Sequence, residues 1–144
     1  MVTTFSISIK ASPEKVFPFV GDLLRHPEWA TDKMKMEIIS LGSPKVGSKY
    51  RSTTNFKGML IVADLQVIEY QPPCCFAFTV NDKTGSYFHK FVLYSQGDGT
   101  LLERITSSEK KDWGSKFLTM ILMPILIAPE SKKALRLLKA RAEC

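Results

Sequence analysis

Between Met34 and Glu109 the chain leaves no room for a crossover. Six stretches there carry strand patterning: Met34 to Leu41, Ser48 to Lys57, Met59 to Tyr70, Cys74 to Val80, Ser86 to Tyr94 and Thr100 to Glu109. The joints between them are short: "GSPKVG", the lone Gly58, Pro72-Pro73, "NDKTG" and "QGDG". A parallel pair needs a dozen or more residues to reverse course, so each stretch pairs antiparallel with the next. The middle of the chain is therefore a consecutive antiparallel meander.

Upstream, Phe5, Ile7 and Ile9 alternate with Thr4, Ser6, Ser8 and Lys10, the period of a half-buried strand. A helix starts at "ASPEKVFPFV". Ser12 is placed to cap it, Pro13 fits its first position, and Glu14 lies at the positive end of its dipole. Pro18 cannot donate to the carbonyl of Glu14, which keeps this helix short or kinked. A second brief helix, "GDLLRHPEW", ends at Pro27, with Trp29 folding back as an apolar plug. From Asp112, an N-cap, the rest of the chain patterns as one long helix.

The order is thus strand, two short helices, a meander and a long C-terminal helix, an α+β arrangement in one domain over residues 1–144. An antiparallel sheet of six to seven strands twists and curls, and its concave face must be covered. Only the C-terminal helix is long enough to do so. One helix across so wide a floor leaves an interior cavity as an expected consequence.

That helix carries the least ordinary stretch of the chain. Phe117 to Ala128 is twelve residues of which only Thr119 is polar, with Pro124 inside it and Pro129 just beyond. As a helix it spans about 18 Å against a bilayer core of about 30 Å, so it cannot cross a membrane. Phe117, Met120, Ile121, Met123 and Pro124 are placed to face the sheet, as cavity lining or as ordinary core. The prolines are expected to bend or break the helix near 124–129, where a pocket mouth could open. Beyond Glu130, Ala134, Leu135, Leu138 and Ala142 form one side of an amphipathic helix.

Composition excludes several classes. Apolar residues are 44% and charged residues 24%, which fits a globular protein. The formal charge of +6 is modest, and residues 130–144 alone supply three of those charges. A basic helix face with no recognition motif does not make a nucleic-acid footprint. The same face could touch an anionic membrane surface while a ligand is loaded. Three cysteines, two of them adjacent, form neither a disulfide framework nor a metal site. Reduced thiols, and an N-terminus without a basic, apolar leader, fit a cytoplasmic protein. No phosphate loop, zinc spacing or nucleophile elbow is present, so no cofactor and no metal are expected. The chain alone leaves monomer and dimer both open.

Among polar residues in the strands, His89 has the most to offer. It shares a strand face with Tyr87, Phe91 and Leu93. If that face is concave, His89 meets a ligand or acts as a base; the plainer readings are a histidine satisfied by neighbouring polar groups or, in the opposite register, one that faces water. Arg51, Asp64, Gln66, Glu103 and Arg104 also lie in strand patterns, and for each a solvent-facing ion pair is the simpler reading. His26, one residue before Pro27, fits a surface or capping role.

Several local motifs, in order, resemble the START-like superfamily, and within it the polyketide cyclase/dehydrase and lipid-transport family. "IKASPEKVFPFVGDLLRHPEW" carries Ala11, Glu14, Val16, Phe17, Asp22, His26, Pro27 and Trp29 at the family's spacing. "PKVGSKYR" resembles its Val-Gly hairpin, and "IEYQPPCCFAF" its Pro-Pro strand pair. The resemblance covers the whole chain. It implies a helix-grip fold whose cavity, between sheet and C-terminal helix, takes an apolar or amphipathic small molecule. Trp29, Arg51, His89, Phe91, Phe117, Met120, Ile121 and Pro124 are the expected ligand-binding set. The resemblance does not fix a reaction. In a cyclase or dehydrase, His89 with Glu103 or Arg51 would move protons. A third reading is an interaction protein whose pocket is filled by its own side chains.

Overall fold

A computed structural model describes residues 2–30, 33–42, 44–56, 58–110 and 132–144. Strand β1 (Val2–Ile9) is followed by helix α1 (Pro13–Val20), a 3-10 turn (Leu23–Glu28), and strands β2 (Lys33–Ile38), β3 (Lys49–Phe56), β4 (Met59–Gln71), β5 (Cys75–Asp82), β6 (Gly85–Gln96) and β7 (Gly99–Lys110). A helix over residues 132–143, α2 here, closes the described chain.

The seven strands form one antiparallel sheet in the order β1-β7-β6-β5-β4-β3-β2. The meander is as expected, and β1 joins it by pairing with β7, from Val2 opposite Ser107 to Ile9 opposite Thr100. β1 and β2 are therefore opposite edges of the sheet. The chain crosses from one to the other through α1 and the 3-10 turn, which pack against β6, β7 and β2.

Local chemistry explains these two short helices. Pro13 opens α1, and the Ser12 carbonyl accepts from the amides of Lys15 and Val16, both at 3.0 Å. The Ser12 hydroxyl makes no cap bond, so that expectation is met by its backbone alone. The 3-10 turn is capped by the Asp22 carboxylate, which accepts from the Leu24 amide at 3.0 Å. Pro27 lies inside that turn, and Trp29 caps its end.

The core lies on the concave face. Val16, Val20, Phe76, Phe91, Leu102, Leu138 and Ala142 are fully buried there. In α2, Ala134, Leu135, Leu138 and Ala142 are the buried positions, the same four that the pattern put on one side. The Lys139 ammonium donates to the Ser8 carbonyl at 2.7 Å, and the Glu143 carboxylate accepts from the Lys10 amide at 2.7 Å. These bonds fix α2 to β1. The expected cap at Asp112 and the bend at 124–129 lie outside the described residues.

Candidate functional site

Strand alternation decides which predicted residues meet. In β6 and β7, Phe91 stands opposite Arg104, Leu93 opposite Leu102, and His89 opposite Thr106. Phe91 and Leu102 are fully buried and Leu93 nearly so, which marks the concave face. His89 and Arg104 share it, on neighbouring strands and one step apart along the diagonal.

Phe78, opposite His89 on β5, stacks on the imidazole with ring centroids 5.0 Å apart and planes 17° from parallel. Trp29, brought in by the 3-10 turn, stands edge-on to Phe91 at 5.9 Å and donates its indole N–H to the Phe19 carbonyl at 3.1 Å. The plug expected at Trp29 is therefore in place, 3% exposed.

His26 completes the cluster and corrects the surface role expected for it. It is 7% exposed, 4.6 Å from the Trp29 ring and within 6 Å of Phe78 and Phe91. Its Nε2 bonds the Val20 carbonyl at 2.8 Å. A carbonyl only accepts, so Nε2 carries the proton. His26 points inward here because α1 and the 3-10 turn pack against the sheet, which a motif-level reading cannot see.

Arg104 is the second correction. Its guanidinium carbon lies 5.5 Å from the centre of the Phe91 ring and 5.9 Å from that of Trp29. Among the described residues no carboxylate pairs with it. The residue as a whole is half-buried, but its Nε is enclosed and has no hydrogen-bond partner. The same is true of His89 Nδ1. Two unsatisfied polar atoms thus sit within one aromatic enclosure.

The electrostatics follow from that geometry. Burial, with the Arg104 charge second and His26 third, pushes His89 down to about 3. Burial also pushes His26 down to about 4, opposed by its bond to Val20 and helped by Arg104. Burial lowers Arg104 to about 10, which leaves it cationic at neutral pH. Cation–π contact returns about 2 kcal/mol at a desolvated site. Enclosing an ion costs several kcal/mol even after relaxation. The aromatic rings therefore offset only part of the cost of enclosing the Nε edge of Arg104. The site offers a fixed cation and a neutral imidazole to an oxygen acceptor, inside apolar walls.

Two expected members lie elsewhere. Arg51 is flanked by buried Tyr50 and Ser52, so alternation turns it to the convex face, where it pairs with Asp64 at 3.2 Å in solvent. Glu103 stands opposite Val92 and exposed Ser6, between Leu102 and Arg104, and so also lies on the convex side. Neither can meet His89 through the sheet. Phe117, Met120, Ile121 and Pro124 lie outside the described residues. An open cleft of about 470 Å³ between the start of α1 and the β6–β7 turn contains none of His89, Arg104 or Trp29. It also encloses no unsatisfied polar atom, so the aromatic enclosure is the stronger candidate.

The sequence matches the family described as "Polyketide cyclase / dehydrase and lipid transport" over residues 2–143. No curated protein matches it. Among solved structures, the Zhui aromatase/cyclase of Streptomyces sp. R1128 is similar with a TM-score of 0.81 at 13% identity, over 99% of this chain and 93% of that one. A Thermus thermophilus protein is similar with a TM-score of 0.81 at 16% identity, over 99% and 97%. The major latex-like protein 151 of Panax ginseng follows with a TM-score of 0.76 at 15% identity, over 99% and 97%. At these identities the likeness is one of fold, and it is the helix-grip fold of a curved antiparallel sheet with a C-terminal helix. With a match that runs from residue 2 to residue 143, the chain belongs to the polyketide cyclase/dehydrase and lipid-transport family.

Proposed function

We propose that the protein binds an apolar or amphipathic small molecule, lipid- or polyketide-like, between the concave face and the C-terminal helix. The observation that carries this reading is the pair of enclosed atoms, His89 Nδ1 and Arg104 Nε, left without partners among Trp29, Phe78 and Phe91. Buried polar atoms are ordinarily satisfied, and a ligand oxygen would satisfy these. The reading is of a cytoplasmic carrier or receptor: Cys74, Cys75 and Cys144 are free thiols, and no described helix is long and apolar enough to cross a membrane. Exposed Lys132, Lys133 and Arg136 on α2 would meet an anionic bilayer during loading.

Native mass spectrometry of freshly purified protein, with solvent extraction of bound material, tests the proposal. A lipid-like adduct is expected, and His89→Ala should weaken its retention several-fold. Repeated preparations without adduct, together with a flat titration by a fluorescent fatty acid, would end it.

A cyclase-type enzyme is the second reading, favoured by Arg104, a cation placed where an enolate could be stabilised. The low basicity of His89 weighs against it, since a base near 3 has little driving force at neutral pH. An enzyme would lose turnover by about 10²- to 10⁴-fold in His89→Ala while still binding substrate.

A further inference from the structure

The ligand's polar end can be specified further, on the assumption that the pocket reading above is right. Arg104 brings a full positive charge to the concave face, and no described carboxylate answers it. The described groups that face it are aromatic or neutral. Phe91 and Trp29 present rings, and burial holds His26 and His89 uncharged. Thr106, opposite His89 on β7, and Phe5, opposite Arg104 on β1, add no charge.

A neutral ligand would leave this imbalance in place. It could accept a hydrogen bond from the guanidinium Nε–H, yet no described group would then balance the charge beside the enclosed Nε. An anionic oxygen removes both deficits together, because charge-assisted bonds to guanidinium are the stronger class. A second cation is excluded by like-charge repulsion.

We propose that the ligand is an amphipathic carboxylic acid, its carboxylate held by Arg104 Nε–H with His89 Nδ1 beside it and its apolar body lying along Trp29, Phe78 and Phe91. One oxygen takes the guanidinium N–H. The other meets the imidazole, whose neutral form places a proton on Nδ1 when it donates there. The assignment makes Arg104 a specificity-determining residue, and the aromatic walls only a measure of chain shape.

Displacement of 1-anilinonaphthalene-8-sulfonate or a neutral long-chain fluorophore, followed with dodecanoate, methyl dodecanoate and dodecylamine, reads this directly on the full chain. Dodecanoate should bind the wild type at least about tenfold more tightly than its methyl ester, with the amine weakest. Arg104→Met should remove the preference, bringing the acid down to about the level of the ester, while Arg104→Lys should keep part of it. Equal binding of acid and ester by the wild type would overturn the carboxylate assignment and leave the pocket reading standing. So would an Arg104→Met protein that keeps the tenfold preference. Failure of every probe, the neutral fluorophore included, would overturn both. The wild-type comparison needs no variant, so poor folding of Arg104→Met cannot shield the proposal.

Discussion

His26, buried, and His89, half-buried with its Nδ1 enclosed, are imidazoles held neutral beside a cation, which has a consequence for stability. In the unfolded chain each titrates near 6.5; in the fold, burial holds them at about 4 and about 3. Between those values the unfolded chain binds more protons, so stability rises with pH in that window and is lost as pH falls below 6.5. Each histidine should cost roughly 2 kcal/mol between pH 6.5 and 5. Thermal midpoints across that range should drop for the wild type and drop about half as steeply for His89→Gln. An identical pH slope in the variant would show that His89 is not enclosed in the fold. These residues are only partly legible in sequence. His89 has an unambiguous strand face, but the pattern does not say which face is concave. Arg104 is hidden because Leu101, Leu102 and Ile105 put apolar residues on both faces of β7, so alternation alone cannot choose its side. The choice comes from the two-residue turn Gly97-Asp98, which pairs Gln96 with Gly99 and so sets Arg104 against Phe91. Gly97, at φ 59°, supplies the left-handed conformation that such a turn needs.

The strands themselves are easy to find, since each is bounded by Gly, Pro or Asp-rich turns, and their ends move by only a few residues. What sequence cannot show is a change of parity within β4. Ala63, Leu65 and Val67 face the core, and after the irregularity between Val67 and Glu69 it is Tyr70 that packs inward. The bulge adds Ile68 as an unpaired residue, 43% exposed, and sends Glu69 outward to meet Lys90 at 3.0 Å. A continuous apolar pattern conceals such a step because both readings look greasy. Closure of β1 on β7 is the other feature with a single-residue test. A Cβ on Gly99 would lie 2.5 Å from the backbone oxygen of Ile9, where β1 ends. Backbone cannot move aside as a side chain can, so Gly99→Ala should cost about 1–3 kcal/mol by denaturant titration. Amide exchange should speed up in Val2–Ile9 ahead of β3 and β4. Unchanged protection in β1 would mean that the edge is held elsewhere.

At the scale of the molecule, one helix holds the ends of the chain together. The buried side of α2 packs into the core that α1 and the concave face share, and its polar side ties to β1 through Lys139 and Glu143. The Lys15 ammonium reaches the Cys144 carbonyl at 3.1 Å, linking α1 to the same end. Sheet, short helices and α2 thus share one core, and they should melt together in one transition. The amphipathic pattern of 132–143 makes this helix visible in sequence because its apolar spacing is regular. Its partner on the sheet is not visible, since docking depends on which face of the meander curls inward. Leu138, fully buried, is the position that tests the arrangement. Leu138→Ala removes a large side chain from a site closed on all sides, and should cost about 2–5 kcal/mol. At roughly 2–4 °C per kcal/mol for a chain of this size, the midpoint should fall by several degrees at least. The transition should stay single, with far- and near-ultraviolet dichroism coincident. If the variant instead melts in two steps, α2 is an appendage whose loss the sheet survives. In that case α2 could not serve as one wall of the ligand site, and retention of dodecanoate should be as strong in Leu138→Ala as in the wild type. Loss of retention alongside a single lowered transition is the expected result, because Leu138 belongs to the same core as Trp29, Phe78 and Phe91.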